Sequence, residues 1–184
     1  YQPPKYVENQ PLELSDREKE LTTEFGEIRW MLAADVNGDG WLDLIVSQII
    51  GPRCFILWGG PEGFSKDRMQ ILHTDGVASA TVADLNGNGY PDLILASHMS
   101  TKKNDKYESY MTIYWGGPEG YKENRRTQLP TYCSNSCTVG DFSGQGKLDL
   151  YAVAYRTSRC RDIMSHLYLN DGKGNFSLRN VQYL

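Results

Sequence analysis

The sequence predicts an all-β protein made of repeated units, each with four short strands. Three observations support this prediction: an acidic turn occurs three times, a glycine-rich turn follows each copy, and long stretches of helical periodicity are nearly absent. The 184 residues include 18 glycines and are 40% hydrophobic, so the chain has both the turns and the apolar surface that a packed β protein needs.

Composition also excludes several classes of function. The net charge of −4 gives no electrostatic reason to expect a nucleic-acid partner. No apolar run approaches the roughly 20 residues of a membrane-spanning helix, so no membrane insertion is expected. The N-terminal residues lack the charged and apolar regions of a signal peptide, and none is expected in this chain.

The acidic turns share the pattern Asp-x-(Asn/Ser)-x-(Asp/Asn/Gln)-Gly-x-x-Asp and begin at Asp35, Asp84 and Asp141. A second motif, Trp-Gly-Gly-Pro-Glu-Gly-aromatic, begins at Trp58 and Trp115, and a looser version follows the third acidic turn. The two motifs recur together about every 50 residues, which is the length of a propeller blade. They therefore predict the blades of an incomplete β-propeller.

Each unit is predicted to contain four strands. The first strand precedes the acidic turn, and the second follows it as an uninterrupted apolar run, which is typical of a strand covered on both faces. A third strand leads into the glycine-rich turn, which forms a hairpin with a more polar fourth strand. Residues 22–72, 73–129 and 130–184 are accordingly assigned to blades 1, 2 and 3.

The N-terminal residues are assigned separately. Residues 1–11 form an extension, and residues 12–21 are predicted to be an extra outer strand, because their Ser-Asp-Arg sequence matches the Lys-Asp-Arg of the fourth strand in blade 1. A short amphipathic helix capped by Ser15 is the alternative for the same residues.

Three blades do not close a ring, because propellers typically have about 4–8 blades. Each terminal blade is then expected to leave an apolar face uncovered, and such faces mark interfaces. The expected partners are therefore other propeller blades, either in a longer precursor or in identical subunits that stack into a ring or a filament. The extra N-terminal strand could also pair with a neighbouring subunit.

The acidic turns predict a Ca²⁺ site, because Ca²⁺ takes 6–8 oxygen ligands and the turns offer side-chain oxygens at positions 1, 3, 5 and 9 and a carbonyl at position 7. An EF-hand is excluded because position 12 is never Glu. The alternative is a hydrogen-bonded turn without metal. The predicted ligands are Asp35, Asn37, Asp39, Trp41 and Asp43 in the first turn, Asp84, Asn86, Asn88, Tyr90 and Asp92 in the second, and Asp141, Ser143, Gln145, Lys147 and Asp149 in the third.

The three turns are not equal in charge. The first carries three carboxylates and the others carry two each, so occupancy is expected to fall in the order one, two, three. No His or Cys lies in the turns, which argues against zinc or copper.

The acidic turns and the Trp-Gly-Gly-Pro-Glu-Gly motif together resemble FG-GAP/VCBS-type repeats, the blades of integrin-α-like propellers, from about residue 12 to residue 184. The resemblance implies a calcium-stabilised propeller in an extracellular or cell-surface protein that serves adhesion, recognition or scaffolding. It also implies that the ion lies in the loop between the first and second strands of a blade. The family usually has about seven blades, so any site built from other blades is not expected in these residues.

The four cysteines and one glycosylation motif fit an extracellular protein. Cys133 and Cys137 are expected to form a disulfide because they flank a short turn, while Cys54 and Cys160 are expected to be free or to bridge subunits. Four reduced thiols are the alternative. Asn175 begins an Asn-Phe-Ser acceptor for N-glycosylation.

No pattern of catalytic residues is present, so the chain is not expected to be an enzyme. The loops at residues 98–109 and 155–165 are rich in Lys or Arg and could contact an acidic glycan or a protein, although a merely solvated loop explains them too. The function expected is a non-catalytic, extracellular, calcium-stabilised module for assembly or recognition. A glycan-binding lectin and an accessory domain of a secreted enzyme are the alternatives.

Overall fold

The computed structural model describes residues 27–100 and 106–184, and within them it contains three antiparallel sheets of four strands each. The prediction of an all-β fold is therefore confirmed. The extra strand predicted at residues 12–21 lies outside the described residues. Sheet 1 consists of β1 (Ile28–Ala34), β2 (Asp43–Gln48), β3 (Arg53–Leu57) and β4 (Met69–His73).

The other two sheets repeat this arrangement. Sheet 2 consists of β5 (Val77–Ala83), β6 (Asp92–Ser97), β7 (Glu108–Tyr114) and β8 (Arg126–Tyr132). Sheet 3 consists of β9 (Ser136–Gly140), β10 (Asp149–Val153), β11 (His166–Tyr168) and β12 (Val181–Tyr183). In every sheet the strands pair in chain order, so each strand is joined to the next by a hairpin connection.

Helical structure in the described residues is limited to two short 3-10 turns, Lys66–Arg68 and Leu178–Asn180, which directly precede β4 and β12. No helix in this part of the chain is long and apolar enough to cross a membrane.

The second strand of each sheet has the character that its apolar run predicts. All six residues of β6 are buried, because β6 lies in the middle sheet with sheet 1 on one face and sheet 3 on the other. Alternating side chains of a strand point to opposite faces. Leu93 and Leu95 accordingly pack against sheet 1, whereas Ile94 and Ala96 pack against sheet 3.

Two apolar clusters join the three sheets. Between sheets 1 and 2 lie Ile45, Ile56 and Tyr114, each fully buried, and between sheets 2 and 3 lie Met111 and Leu150. The first strands are neighbours, since β1 contacts β5 and β5 contacts β9. Because burying one large apolar side chain contributes about 1.5–3 kcal/mol, each cluster alone is a substantial stabilising term. The sheets stack as propeller blades do, with the first strands on the same side.

The two terminal faces differ in exposure. Leu150 and Ala152 pack on sheet 2, so Tyr151 and Val153 point away from it, and Val153 is 37% exposed. On the far face of sheet 1, Met31 is 61% exposed although the centre of that face is buried. The face of sheet 3 is thus the more open of the two.

Candidate metal centre

The acidic turns connect the first strand of each sheet to the second, which puts all three at equivalent places in the fold. In the first turn, Asp35 accepts hydrogen bonds from the N–H of Gly38 at 2.7 Å and of Gly40 at 2.9 Å. Both glycines have positive φ, 76° and 86°, which a residue with a side chain rarely adopts. The first aspartate therefore fixes the curvature of the turn.

The same arrangement recurs in the other two turns. Asp84 accepts from the N–H of Gly89 at 2.8 Å, and Asp141 accepts from the N–H of Gly146 at 2.8 Å. The bond from Gly146 is the largest of the effects that lower the pKa of Asp141. All three turns are thus folded by their own hydrogen bonds, as the alternative without metal requires.

Positions 3 and 5 add further oxygens at the surface. In the first turn, Asn37 accepts from the N–H of Asp39 at 3.0 Å, and Asp39 accepts from the N–H of Trp41 at 2.8 Å and from the Asn37 amide at 2.9 Å. In the second turn, Asn88 accepts from the N–H of Tyr90 at 2.8 Å. These side chains keep exposed oxygen atoms, which are the ligands that Ca²⁺ prefers.

A cluster of three or more His, Cys, Asp or Glu side chains placed to hold a metal ion does not occur among the described residues. The second and third turns carry only two carboxylates each, so an ion there would also need amide, hydroxyl and backbone oxygens. The donor set is all oxygen, and in chemistry it fits Ca²⁺ and not a metal that requires nitrogen or sulfur.

The aspartate at position 9 is placed differently from the others. Asp43, Asp92 and Asp149, called here the bridging aspartates, are each fully buried. Asp43 accepts from the N–H of Val36 at 2.9 Å with one oxygen and from the N–H of Gly59 at 2.8 Å with the other. Each bridging aspartate therefore links its acidic turn to the hairpin between the third and fourth strands.

The second and third sheets contain the same bridge. Asp92 accepts from Leu85 at 2.9 Å and from Gly116 at 2.7 Å. Burial is the largest effect on the pKa of Asp92 and raises it, and these two backbone donors oppose the increase. In sheet 3, Asp149 accepts from Ser143 and from Asn170, both at 2.9 Å. Sequence analysis assigned these aspartates to the metal alone and missed the bridge.

The first glycine of the Gly-Gly pair in the first two hairpins is required by close backbone contact. A Cβ on Gly59 would overlap the carbonyl oxygen of Leu42, and a Cβ on Gly116 would overlap that of Pro91. Position 8 of the acidic turn therefore lies directly against the hairpin. This contact explains the first glycine of Trp-Gly-Gly, whereas a Cβ on the second glycine, Gly60 or Gly117, would overlap the guanidinium of an arginine.

An arginine covers each of the first two hairpins, and sequence analysis missed both. Arg68 donates to the carbonyl of Gly59 at 3.1 Å and also to Gly63. Arg125 donates to the carbonyls of Trp115 and Gly120, both at 2.8 Å. The signal available in the sequence was an arginine shortly after each Gly-Gly-Pro-Glu-Gly motif.

The third hairpin uses another solution. Asn170 stands where the first glycine stands in the other hairpins, and its amide donates to the carbonyls of Leu148 at 2.9 Å and Leu85 at 2.8 Å. Its side-chain oxygen accepts from Gly172 at 2.8 Å and Gly174 at 3.1 Å. The bond to Leu85 also ties this hairpin to the acidic turn of the neighbouring sheet.

The predicted disulfide is absent, because the structure contains all four cysteines as free thiols. Cys137 lies in β9 and points into the core, with its sulfur 3.8 Å from the Ser79 hydroxyl. Cys133 has φ of 47° and its sulfur lies 3.3 Å from Nδ1 of His98. Burial raises the pKa of Cys133 to about 11 and of Cys137 to about 12, so both are thiols at neutral pH.

The remaining predicted residues lie at the surface. Trp41 and Tyr90 are 47% and 38% exposed, so their side chains are not buried in the blades. Asn175 is exposed, and its amide donates to Asp171 at 2.7 Å. Glycosylation at Asn175 stays a prediction.

Comparison with known proteins agrees with this architecture. Residues 35–95 match the family described as FG-GAP-like repeat, a stretch that includes the first two acidic turns and the first hairpin. In an alignment of 131 residues that covers 65% of this chain, the chain is 28% identical to a T-cell immunomodulatory protein homolog of Plasmodium falciparum (isolate 3D7). The chain spans 18% of that relative. The resemblance to FG-GAP-type repeats is thereby confirmed, and it suggests a β-propeller-like module of an extracellular or surface protein.

Proposed function

We propose that the chain is a non-catalytic, extracellular propeller module whose acidic turns bind Ca²⁺ and whose terminal sheets assemble with further blades. The observation that carries the proposal is the threefold repetition of one turn, with oxygen-bearing side chains that are exposed or half-buried at positions 1, 3 and 5 and a fully buried carboxylate at position 9. A turn that needed only internal hydrogen bonds would not require so much negative charge in one place.

In the first turn, Asp35, Asn37, Asp39 and the carbonyl of Trp41 would hold the ion, with Asp43 behind them. Bound Ca²⁺ would supply positive charge that offsets the repulsion among these carboxylates. The chain's own contribution is to hold the turn in shape through the bonds from Gly38 and Gly40. Asp43 would transmit the stiffening to the hairpin through its bond from Gly59.

The assembly part of the proposal rests on the open face of sheet 3. Ile45 and Ile94 occupy the same register in sheets 1 and 2, where they pair with Leu32 and Thr81, and both are fully buried against the next sheet. Tyr151 occupies this register in sheet 3, where it pairs with Thr138. An additional blade, from the same precursor or from an identical subunit, would cover Tyr151 as sheets 2 and 3 cover the isoleucines.

The metal part is tested by thermal unfolding of the 184-residue chain in EDTA, in Mg²⁺ and in Ca²⁺. Ligand at about 100 times its Kd stabilises a folded protein by about 2.7 kcal/mol, which for this size is a Tm increase of about 5–10 °C. Asp39→Asn should lower the Ca²⁺ affinity, because affinity rises with ligand charge. An unchanged Tm in Ca²⁺ would refute the proposal.

Asp171→Asn is the matched control, because Asp171 is exposed, accepts backbone bonds as Asp39 does, and lies outside the acidic turns. It should leave the Ca²⁺ response unchanged. The assembly part is tested by light scattering across a range of concentrations. A monomer at every concentration would contradict self-association while leaving the metal proposal intact.

A further inference from the structure

Two loops lie next to each other at the end of the sheets opposite the acidic turns: the loop before β7 and the loop between β10 and β11. A cation–π contact joins them, since Cζ of Arg156 lies 4.4 Å from the centre of the Tyr107 ring. Nζ of Lys106 lies 5.2 Å from the centre of the same ring. The Tyr107 ring therefore makes a cation–π contact with one positively charged side chain from each loop.

A second ring extends this surface. Cζ of Arg161 lies 5.5 Å from the centre of the Tyr155 ring, which is stacked at 6.3 Å on the ring of His98. Tyr155 is 39% exposed. Lys106, Tyr107, Tyr155, Arg156, Arg159 and Arg161 are called here the basic loop surface.

Within the described residues, no carboxylate forms an ion pair with the positive charges of this surface. Lys106 and the three arginines remain without such a partner in residues 27–100 and 106–184, although Glu108 begins β7 and Asp162 lies in the loop between β10 and β11. The whole chain has a net charge of −4, so a surface with four cations that have no carboxylate partner in this part of the chain is a local reversal of its charge. Such a reversal attracts anionic partners and accelerates their association.

We propose that the basic loop surface binds a sulfated polysaccharide. A guanidinium that lies over a tyrosine ring keeps its N–H edge directed to solvent, where it can donate two parallel bonds to a sulfate or carboxylate. The Nε of Arg156 already donates to the carbonyl of Thr157 at 3.2 Å, which holds that side chain in place.

The aromatic rings favour a sugar over an acidic peptide. Tyr155 is 39% exposed beside the cations, so the accessible part of its ring can contact the C–H groups of a pyranose ring. A sulfated sugar chain combines such ring faces with closely spaced anionic groups. The surface contains none of the residues of the acidic turns, so this binding is independent of Ca²⁺.

The test measures binding of a heparin octasaccharide to the full chain by isothermal titration calorimetry between 0.05 and 0.3 M NaCl. The affinity should fall steeply with salt, because binding releases counterions from the sugar. Neutralising two exposed cations, Arg159→Gln with Arg161→Gln, should weaken binding about tenfold or more and lower the salt slope by about one to two units. Thermal unfolding confirms that the variant is folded.

The control variant is Lys173→Gln with Arg179→Gln, which removes the same charge from exposed positions on the last hairpin. It should change the affinity less than about twofold, as expected for unrelated surface charges. An equal loss in both variants would overturn the proposal, as would the absence of binding at 0.05 M NaCl or equally tight binding of a polyglutamate of matched charge. Binding retained in EDTA separates this proposal from the Ca²⁺ proposal.

Discussion

Asp92→Asn isolates the role of the bridging aspartate with the smallest change in shape. In the native protein the two carboxylate oxygens accept from Leu85 at 2.9 Å and from Gly116 at 2.7 Å, and the side chain is fully buried. Asparagine has one acceptor oxygen, so one of these two N–H groups would face an amide NH₂ in place of an acceptor.

The expected cost follows from the two bonds. A hydrogen bond to a charged group contributes about 1.5–3 kcal/mol, and a buried donor without a partner costs about 1–3 kcal/mol. The loss of a buried charge offsets part of this, since burial raises the pKa of Asp92. We therefore expect the free energy of unfolding to fall by about 2–4 kcal/mol, which for a chain of this length lowers Tm by about 4–16 °C.

The assay is urea unfolding in EDTA, so that the result does not depend on metal. Asp171→Asn provides the matched control, and because Asp171 is exposed its substitution should leave the free energy of unfolding nearly unchanged. If Asp92→Asn unfolds within about 0.5 kcal/mol of the native protein, the carboxylate does not hold the turn to the hairpin and the reasoning is wrong.

Three further predictions use the same protein. Gly116→Ala should lower the free energy of unfolding in urea by more than about 2 kcal/mol, because the new Cβ would overlap the Pro91 carbonyl. In Gly120→Ala the new Cβ meets no atom, so the free energy of unfolding should fall by only about 1 kcal/mol, the cost of the positive φ. Burial tends to raise the pKa of Glu123, but hydrogen bonds, led by the one from the His73 N–H, outweigh this effect and lower the pKa. The contribution of Glu123 to the free energy of unfolding should therefore be present at neutral pH and lost as the pH falls through and below the range of an ordinary glutamate. Glu123→Gln should make the stability of the protein less dependent on pH in that acidic range. Iodoacetamide at neutral pH should label only Cys160, which is exposed, and mass spectrometry should find the other three thiols labelled only after unfolding.

The strands were predictable because their signals are local. The uninterrupted apolar run at β6 requires cover on both faces, and the middle sheet supplies it. The glycine-rich turn likewise specifies a hairpin by its own backbone requirements. Neither prediction depends on which other part of the chain lies nearby.

The bridge could not be predicted in this way, and the Cys133–Cys137 disulfide that the spacing predicted does not form in the structure. In the sequence, Asp92 looks like the metal ligand at position 9 of the acidic turn. Only the fold shows that the N–H of Gly116, 24 residues later, donates to it. Cys133 and Cys137 are close in sequence, but the backbone directs one sulfur toward His98 and the other into the core beside Ser79. Spacing along a chain does not determine where side chains point when a strand begins between them.

The three hairpins also indicate which part of the repeat is indispensable. Arginine covers the first two hairpins, and in the third the side chain of Asn170 takes over the bonding within the loop. The bridging aspartate is present in all three, where it accepts one backbone N–H from the acidic turn, at position 2 in the first two turns and at position 3 in the third, and one from the hairpin. The hydrogen bonds that fold each acidic turn and link it to the hairpin are therefore made within the protein. Bound Ca²⁺ would stiffen a turn that is already folded. On this reasoning EDTA should lower Tm without unfolding the sheets, and circular dichroism in EDTA at 25 °C should keep its β signal.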